Sequence, residues 1–226
     1  MQIPGWKRVL DIAFIMAAFP LLLPLMVFVA LVIRMVSPGP VLFKQERIGY
    51  RGKRFMCLKF RTMLVGADTT VHEGHLKRLM SSNLPMAKMD MQGDRRLIPF
   101  GSLLRSSGLD ELPQIINVLC GEMSLVGPRP CLAYEYDNYL PWQKERFETL
   151  PGLTGLWQVS GKNRTTFIGM VQLDVAYVRN MTLWQDCMII LKTIPALIVQ
   201  MKDSLKKESP FSRPAQPKPF VSARVY

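Results

Sequence analysis

Between Ile12 and Ile33 the chain carries no charged residue. A run of this length can cross a bilayer core as a helix, which needs ~20 apolar residues. It is longer than the apolar core of a cleaved signal peptide. Two features count against a simple span. Both flanks are basic: Lys7 and Arg8 precede it, and Arg34, Lys44, Arg47, Arg51, Lys53 and Arg54 follow. Positive flanks favour keeping both ends in the cytoplasm. Pro20 and Pro24 also interrupt the run, and each removes a backbone donor and opposes a straight helix. The expectation is a re-entrant helix that enters and leaves by one leaflet, with a Pro-kinked single-pass anchor as the alternative.

Beyond this run the pattern changes. Val41-Leu42-Phe43 and Phe55-Met56-Cys57-Leu58 flank the turn residues Gly49-Tyr50-Arg51-Gly52, which predicts a β-hairpin over 41–63. Residues 64–94 are polar and Met-rich, with a helical patch near His75–Met80 and a loop around Pro85. A short helix is expected over 99–106. The clearest helix is 110–120, where Leu112, Ile115, Ile116 and Leu119 repeat at helical spacing, Pro113 suits the first turn and Gly121 ends it. Val126 to Pro130 reads as a rigid loop, 138–149 as amphipathic and charged, 151–161 as turn-rich, and 166–179 as another helix. From Cys187 to Met201 the one charge is Lys192, and Pro195 interrupts. That segment reads as too short and broken to span, so it would lie in the membrane interface or close the core. Ser209 to Tyr226 carries four prolines and reads as a flexible tail.

The fold class expected is α+β, mainly helical. It comprises a re-entrant helix and linker over 1–40, a cytosolic domain over 41–201 containing a small hairpin and interfacial amphipathic helices, and a basic Pro-rich tail over 202–226.

Charge sharpens this picture. The 226 residues carry a formal net charge of +12, with 49% hydrophobic and 20% charged residues. This excludes a disordered chain and a low-complexity one. Residues 1–63 hold ten Lys and Arg against Asp11 and Glu46, and 202–226 hold six against Asp203 and Glu208. The stretch between is balanced. Positive charge gathered beside apolar runs points to an anionic membrane surface or an anionic substrate, and the neutral middle speaks against nucleic acid. Cys57, Cys120, Cys131 and Cys187, with His72 and His75, match no zinc spacing. They read as free thiols in a reducing compartment.

Asp110-Glu111 opens the clear helix. Acidic residues in a first turn offset the helix dipole, and this alone would explain them. The same position keeps a carboxylate ionised, as a nucleophile or metal ligand requires. Adjacent helical residues diverge by about 100°, so the two would serve different tasks. Lys59, Arg61, Arg105 and Arg129 are the basic candidates for substrate binding, against the plain reading of solvated or carboxylate-paired side chains. Arg129 stands out within Gly127-Pro128-Arg129-Pro130, because a pre-set fork suits bidentate phosphate binding. The usual nucleotide-binding glycine loops are absent.

Five ordered blocks carry a resemblance: Lys59-Phe60-Arg61-Thr62-Met63; Arg105 through Gln114; Gly121 through Pro130; Pro151 through Gly161; and Leu173 through Val178. Over roughly residues 4–201 the chain resembles the bacterial sugar transferase family, the monotopic polyprenyl-phosphate phosphoglycosyl transferases. The resemblance implies transfer of a phosphosugar from a UDP-sugar to undecaprenyl phosphate, with release of UMP, at the cytoplasmic face of the bacterial inner membrane. It implies Asp110 as the nucleophile of a covalent aspartyl-phosphosugar, Glu111 as the residue associated with Mg²⁺, and Arg105 and Arg129 as phosphate binders. It also implies a re-entrant N-terminal helix and initiation of lipid-linked glycan assembly; the neutral middle and apolar N-terminus give the expectation of no nucleic-acid partner, and homo-oligomerisation stays open. The chain departs from the family in having Leu23-Pro24 where Ser-Pro is frequent, a further Pro20, a longer 64–94 segment and the Pro-rich tail. Larger members carry additional membrane helices and a further domain, so the expectation here is the catalytic unit alone. The rival reading is a non-catalytic membrane scaffold.

Overall fold

A computed structural model describes residues 3–67, 96–161 and 165–207, together with positions 74, 79, 80 and 82. The expected helical patch near His75–Met80, the loop at Pro85 and the tail over 209–226 fall largely or wholly outside these residues.

Among the described residues the chain is mostly helical around two small sheets. Helix α1 (Gly5–Val36) runs as one helix through Pro20 and Pro24. The hairpin follows as predicted: β1 (Leu42–Ile48) pairs antiparallel with β2 (Arg54–Phe60), from Leu42 opposite Phe60 to Ile48 opposite Arg54. Its turn places Arg51 and Gly52 at φ of 51° and 75°, the left-handed region that glycine enters without strain.

Helix α2 (Gly101–Ser107) matches the short helix expected there. The next element differs from expectation. Leu109–Glu111 is a separate 3₁₀ turn, and helix α3 (Gln114–Leu119) starts only after Pro113. Pro113 has no N–H to offer the Leu109 carbonyl, so that carbonyl accepts from Leu112 instead, at 3.3 Å. The inward face of α3 also differs. Ile115 and Val118 are buried with Gln114 and Asn117, whereas Ile116 and Leu119 are exposed.

Strand β3 (Ser124–Val126) pairs in parallel with β4 (Gly152–Thr154), a pairing that neither segment's local pattern announces. The two backbones lie so close that a Cβ on Gly152 would come within 2.0 Å of the Gly127 nitrogen, which restricts the position to glycine. Between them lie α4 (Ala133–Asp137) and a 3₁₀ segment, Pro141–Phe147. Helix α5 (Leu156–Val159) leads to α6 (Phe167–Arg179), capped by the Thr166 hydroxyl accepting from the Gly169 N–H. Helix α7 (Leu183–Lys207) is longer than the sequence suggests, because it continues through Pro195. By length and composition both α1 and the Leu183–Asp203 part of α7 are apolar enough to cross a membrane.

One face of α1 lies along the rest of the protein over most of its length. Ile15 packs with Phe55, Cys57, Ile115, Val118 and Met123. Val29 and Ile33 pack with Phe60, Ile98 and Leu104. Near the N-terminus, Lys7 is fully buried and donates to Asp186 Oδ2 at 2.6 Å and to the Tyr177 hydroxyl at 2.8 Å. Asp11 accepts from the Ser124 hydroxyl and the Leu125 N–H. Arg8 donates to the carbonyls of Val118 and Leu119, satisfying the open end of α3. The opposite face exposes Phe14, Phe19, Leu21, Phe28, Leu31 and Met35, and α7 exposes Trp184, Leu191, Ile194 and Ile198.

Candidate active site

Gly108, at φ 75°, ends α2 and begins the 3₁₀ turn that carries the acidic pair. Asp110 is buried and Glu111 is half-buried. The Lys59 ammonium, on β2, donates to Glu111 Oε1 at 2.7 Å. β2 is in turn fastened to the helix that follows the pair. Asn117 Oδ1 accepts from the Leu58 N–H at 3.0 Å, while its Nδ2 donates to the Met56 carbonyl at 2.8 Å and to Glu122 at 2.6 Å. A single amide thus fixes the strand bearing Lys59 against α3, the helix that follows the turn bearing Glu111. Asn117 was not among the sequence candidates; the one local signal is a polar residue between the apolar Ile116 and Val118.

Arg105 occupies the last turn of α2, half-buried, where a cation complements the helix dipole. The carbonyls of Arg105 and Ser106 accept from Gln200 Nε2 of α7, at 3.4 and 2.9 Å. Arg61 has a different place from the one expected of a substrate ligand. It is buried, and it donates to the Pro40 carbonyl at 2.6 Å, the Ser37 hydroxyl at 3.0 Å and the Ser37 carbonyl at 2.9 Å. Its fork ties the linker after α1 to the end of β2, because those carbonyls have left the helix and need donors.

Arg129 sits between β3 and α4 in a loop held on every side. The Gly127 N–H donates to Thr154, the Pro128 carbonyl accepts from Gly152, the Arg129 carbonyl accepts from Arg146, and the Pro130 carbonyl accepts from Arg47. The Arg129 side chain is 24% exposed and lies 3.4 Å from Glu135 Oε2. The Cys57 thiol is buried on β2. Burial pushes it up, Lys59, Arg47 and Arg129 pull it down, and Glu111 raises it.

Among the described residues no group of three or more His, Cys, Asp and Glu forms a metal cage. The donors on offer are the carboxylates of Asp110 and Glu111. Mg²⁺ is commonly held by one or two carboxylates together with substrate phosphates and water, so this donor set fits an ion that arrives with a diphosphate. Glu111 also borders a cavity of about 680 Å³ between α1, α3 and α7, walled by Phe14, Leu22, Ile115, Ile194 and Leu197.

The family model described as bacterial sugar transferase matches residues 3–200. The exopolysaccharide production protein ExoY of Sinorhizobium fredii is 38% identical over 191 residues, 84% of each chain. The UDP-glucose:undecaprenyl-phosphate glucose-1-phosphate transferase of Caulobacter vibrioides is 38% identical over 200 residues, 85% of this chain and 69% of that one. The undecaprenyl-phosphate galactose phosphotransferase of Salmonella typhimurium is 35% identical over 198 residues, 85% of this chain and 40% of that one. With a family match along nearly the whole helical and hairpin framework just described, the chain belongs to the bacterial sugar transferase family.

Proposed function

We propose that this protein transfers a sugar 1-phosphate from a UDP-sugar to undecaprenyl phosphate, releasing UMP, and so starts assembly of a lipid-linked glycan at the cytoplasmic face of the bacterial cell membrane. The observation that carries the reading is the placement of Asp110 and Glu111. One carboxylate is buried in a tight turn, and its neighbour is held by Lys59 beside a cavity walled by apolar side chains.

In the proposed chemistry a carboxylate oxygen of Asp110 attacks the phosphorus that bears the sugar. The bond from that phosphorus to the UMP oxygen breaks, and UMP leaves with the electron pair. A phosphate oxygen of the lipid then attacks the same phosphorus, and the Asp110 carboxylate is released. Each step exchanges one P–O bond for another, and a covalent intermediate lets two unlike substrates use one site in turn. Arg105 and Arg129 offset phosphate charge that would otherwise repel the carboxylate. Mg²⁺, held by Glu111 with Asp110 adjacent, supplies further neutralisation of the diphosphate when bound. Lys59 orients the Glu111 carboxylate.

The attachments of α1 support a one-sided membrane topology. Lys7 and Asp11 at one end, and Ser37 and Pro40 at the other, bond to the same globular body. Placing the N-terminus across the membrane would break the buried Lys7–Asp186 pair, a loss of about 3–5 kcal/mol. In this reading the exposed apolar faces of α1 and α7 sit in one leaflet, and 41–201 carries the chemistry. The deciding experiment is the full chain in lipid nanodiscs with undecaprenyl phosphate and a panel of UDP-sugars, scored by UMP release. No release with any donor overturns the proposal.

A further inference from the structure

Behind the Arg129 loop three guanidiniums meet two carboxylates. Arg129 Nη1 lies 3.4 Å from Glu135 Oε2, and Arg47 Nη1 lies 4.0 Å from Glu135 Oε1. Arg146 Nη2 bonds Asp174 Oδ2, and a second bond from Arg146 reaches the Tyr139 hydroxyl. The Glu135 side chain is fully buried, as is that of Arg146, while Asp174 is 2% exposed and Arg47 8%. With both carboxylates ionised, the five groups carry an excess of one positive charge. Arg129, at 24% exposed, is the member that faces outward. A buried cluster with an uncancelled cation at its surface attracts an anion, since charges inside a protein are screened weakly.

The geometry around Arg129 is over-determined. Arg146 Nη2 donates to its carbonyl at 2.9 Å, and Arg47 Nη1 donates to the next carbonyl, that of Pro130, at 3.2 Å. Glu135 is itself fixed, because its Oε1 accepts from the Leu132 N–H at 2.9 Å at the start of α4. A guanidinium gripped through one amino group presents its remaining donors in a set plane, the arrangement a bidentate phosphate contact needs.

We propose that Glu135 is the positioning residue of a diphosphate subsite at Arg129, with Arg47 and Arg146 holding the loop that carries it. This rests on the donor being a UDP-sugar, as proposed above. Glu135 makes no contact with the reacting atoms in this assignment. It sets the angle and suppresses the rotamer freedom of the arginine that does, so its loss weakens donor binding more than turnover.

The test uses the full chain in nanodiscs, as wild type, Glu135→Gln, Glu135→Asp and Arg129→Gln. Two readouts are taken: the KM and kcat for the UDP-sugar that the wild type turns over, and the rise in melting temperature with inorganic pyrophosphate in the absence of metal. Replacing the charge-assisted bond with a neutral one in Glu135→Gln is expected to raise KM about tenfold, with kcat within about twofold of wild type. Its pyrophosphate shift should shrink toward that of Arg129→Gln. Glu135→Asp, which keeps the charge but shortens the reach, should fall between, and it serves if Glu135→Gln fails to fold. Adding Glu135→Gln to Arg129→Gln should raise KM no further, since both remove one interaction. A folded Glu135→Gln with wild-type KM and wild-type pyrophosphate shift overturns the assignment, as does a wild type that pyrophosphate does not stabilise. If the wild type releases no UMP but pyrophosphate binds in an Arg129- and Glu135-dependent way, the transferase reading fails and the anion subsite stands.

Discussion

Lys59 and Glu111 are 52 positions apart in the chain and 2.7 Å apart in space. One is on a hairpin strand, the other at the end of a 3₁₀ turn, and the Asn117 amide fastens the strand to the helix that follows that turn. The pair is partly shielded, with side-chain exposures of 23% and 34%. Its worth to stability is therefore small, about 1 kcal/mol at most, and its value lies in aiming a carboxylate.

Lys59→Gln should accordingly leave the melting temperature close to that of wild type while lowering kcat/KM about tenfold, the effect of losing one oriented charged group. Steady-state UMP release and thermal unfolding on the same preparations check this. A large fall in melting temperature with unchanged kcat/KM would make the pair a structural tie.

Asp110→Asn should keep the turn and abolish chemistry. Wild type incubated with UDP-sugar and Mg²⁺, without lipid acceptor, is expected to gain the mass of one phosphosugar on the peptide containing Asp110. The Asn variant should gain none at any Mg²⁺ concentration, whereas Glu111→Gln should gain a little as Mg²⁺ is raised. Intact-protein and peptide mass spectrometry decide. Turnover by Asp110→Asn, or a label on another residue, would reject the nucleophile role.

The buried Lys7–Asp186 pair should matter on two counts. Lys7→Met leaves Asp186 buried without its cation and should destabilise the fold by about 3–5 kcal/mol. In the double variant Lys7→Met with Asp186→Leu, part of that loss should return. In otherwise native chains with Cys120→Ser, cysteines introduced as Gln2→Cys or Lys44→Cys should both be labelled from the cytoplasmic side. Labelling of position 2 from the opposite side alone would show a true span.

Asp174 gives the fold a pH dependence. Burial raises its carboxyl to about 6, against the opposing pull of Arg146 and Arg129. The folded protein therefore holds this proton more tightly than the unfolded chain does. The associated stability is fully present below about pH 4 and is lost as pH rises through about 6. Urea unfolding across pH 4–6 should show a more negative slope of stability against pH in wild type than in Asp174→Asn, by about 1 kcal/mol per unit at most. Equal slopes would show that Arg146 keeps the carboxylate ionised throughout.

What was legible in the sequence was local. An uncharged run with basic flanks, two apolar segments about a Gly-bounded turn, and a helical stretch over 166–179 are patterns of period and punctuation. Each is satisfied by residues within a few positions of one another, so α1, the hairpin and α6 appear where expected. The motif blocks singled out Asp110, Glu111, Arg105 and Arg129 as candidates, because their neighbours in sequence are part of the motif.

Tertiary structure decided which charges meet. Lys59 on β2 and Arg61 just past its end lie two positions apart, yet Arg61 binds the linker at Ser37 and Pro40 and Lys59 binds Glu111. Lys7 reads as a membrane-flanking cation but is buried against Asp186, 179 positions away. Glu135, which no local pattern singles out, stands behind Arg129. The parallel pairing of β3 with β4 and the passage of α7 through Pro195 were hidden for the same reason. Local pattern specifies a backbone period and where it stops, whereas the partner of a buried charge or of a three-residue strand is set by whichever distant segment packing brings to it.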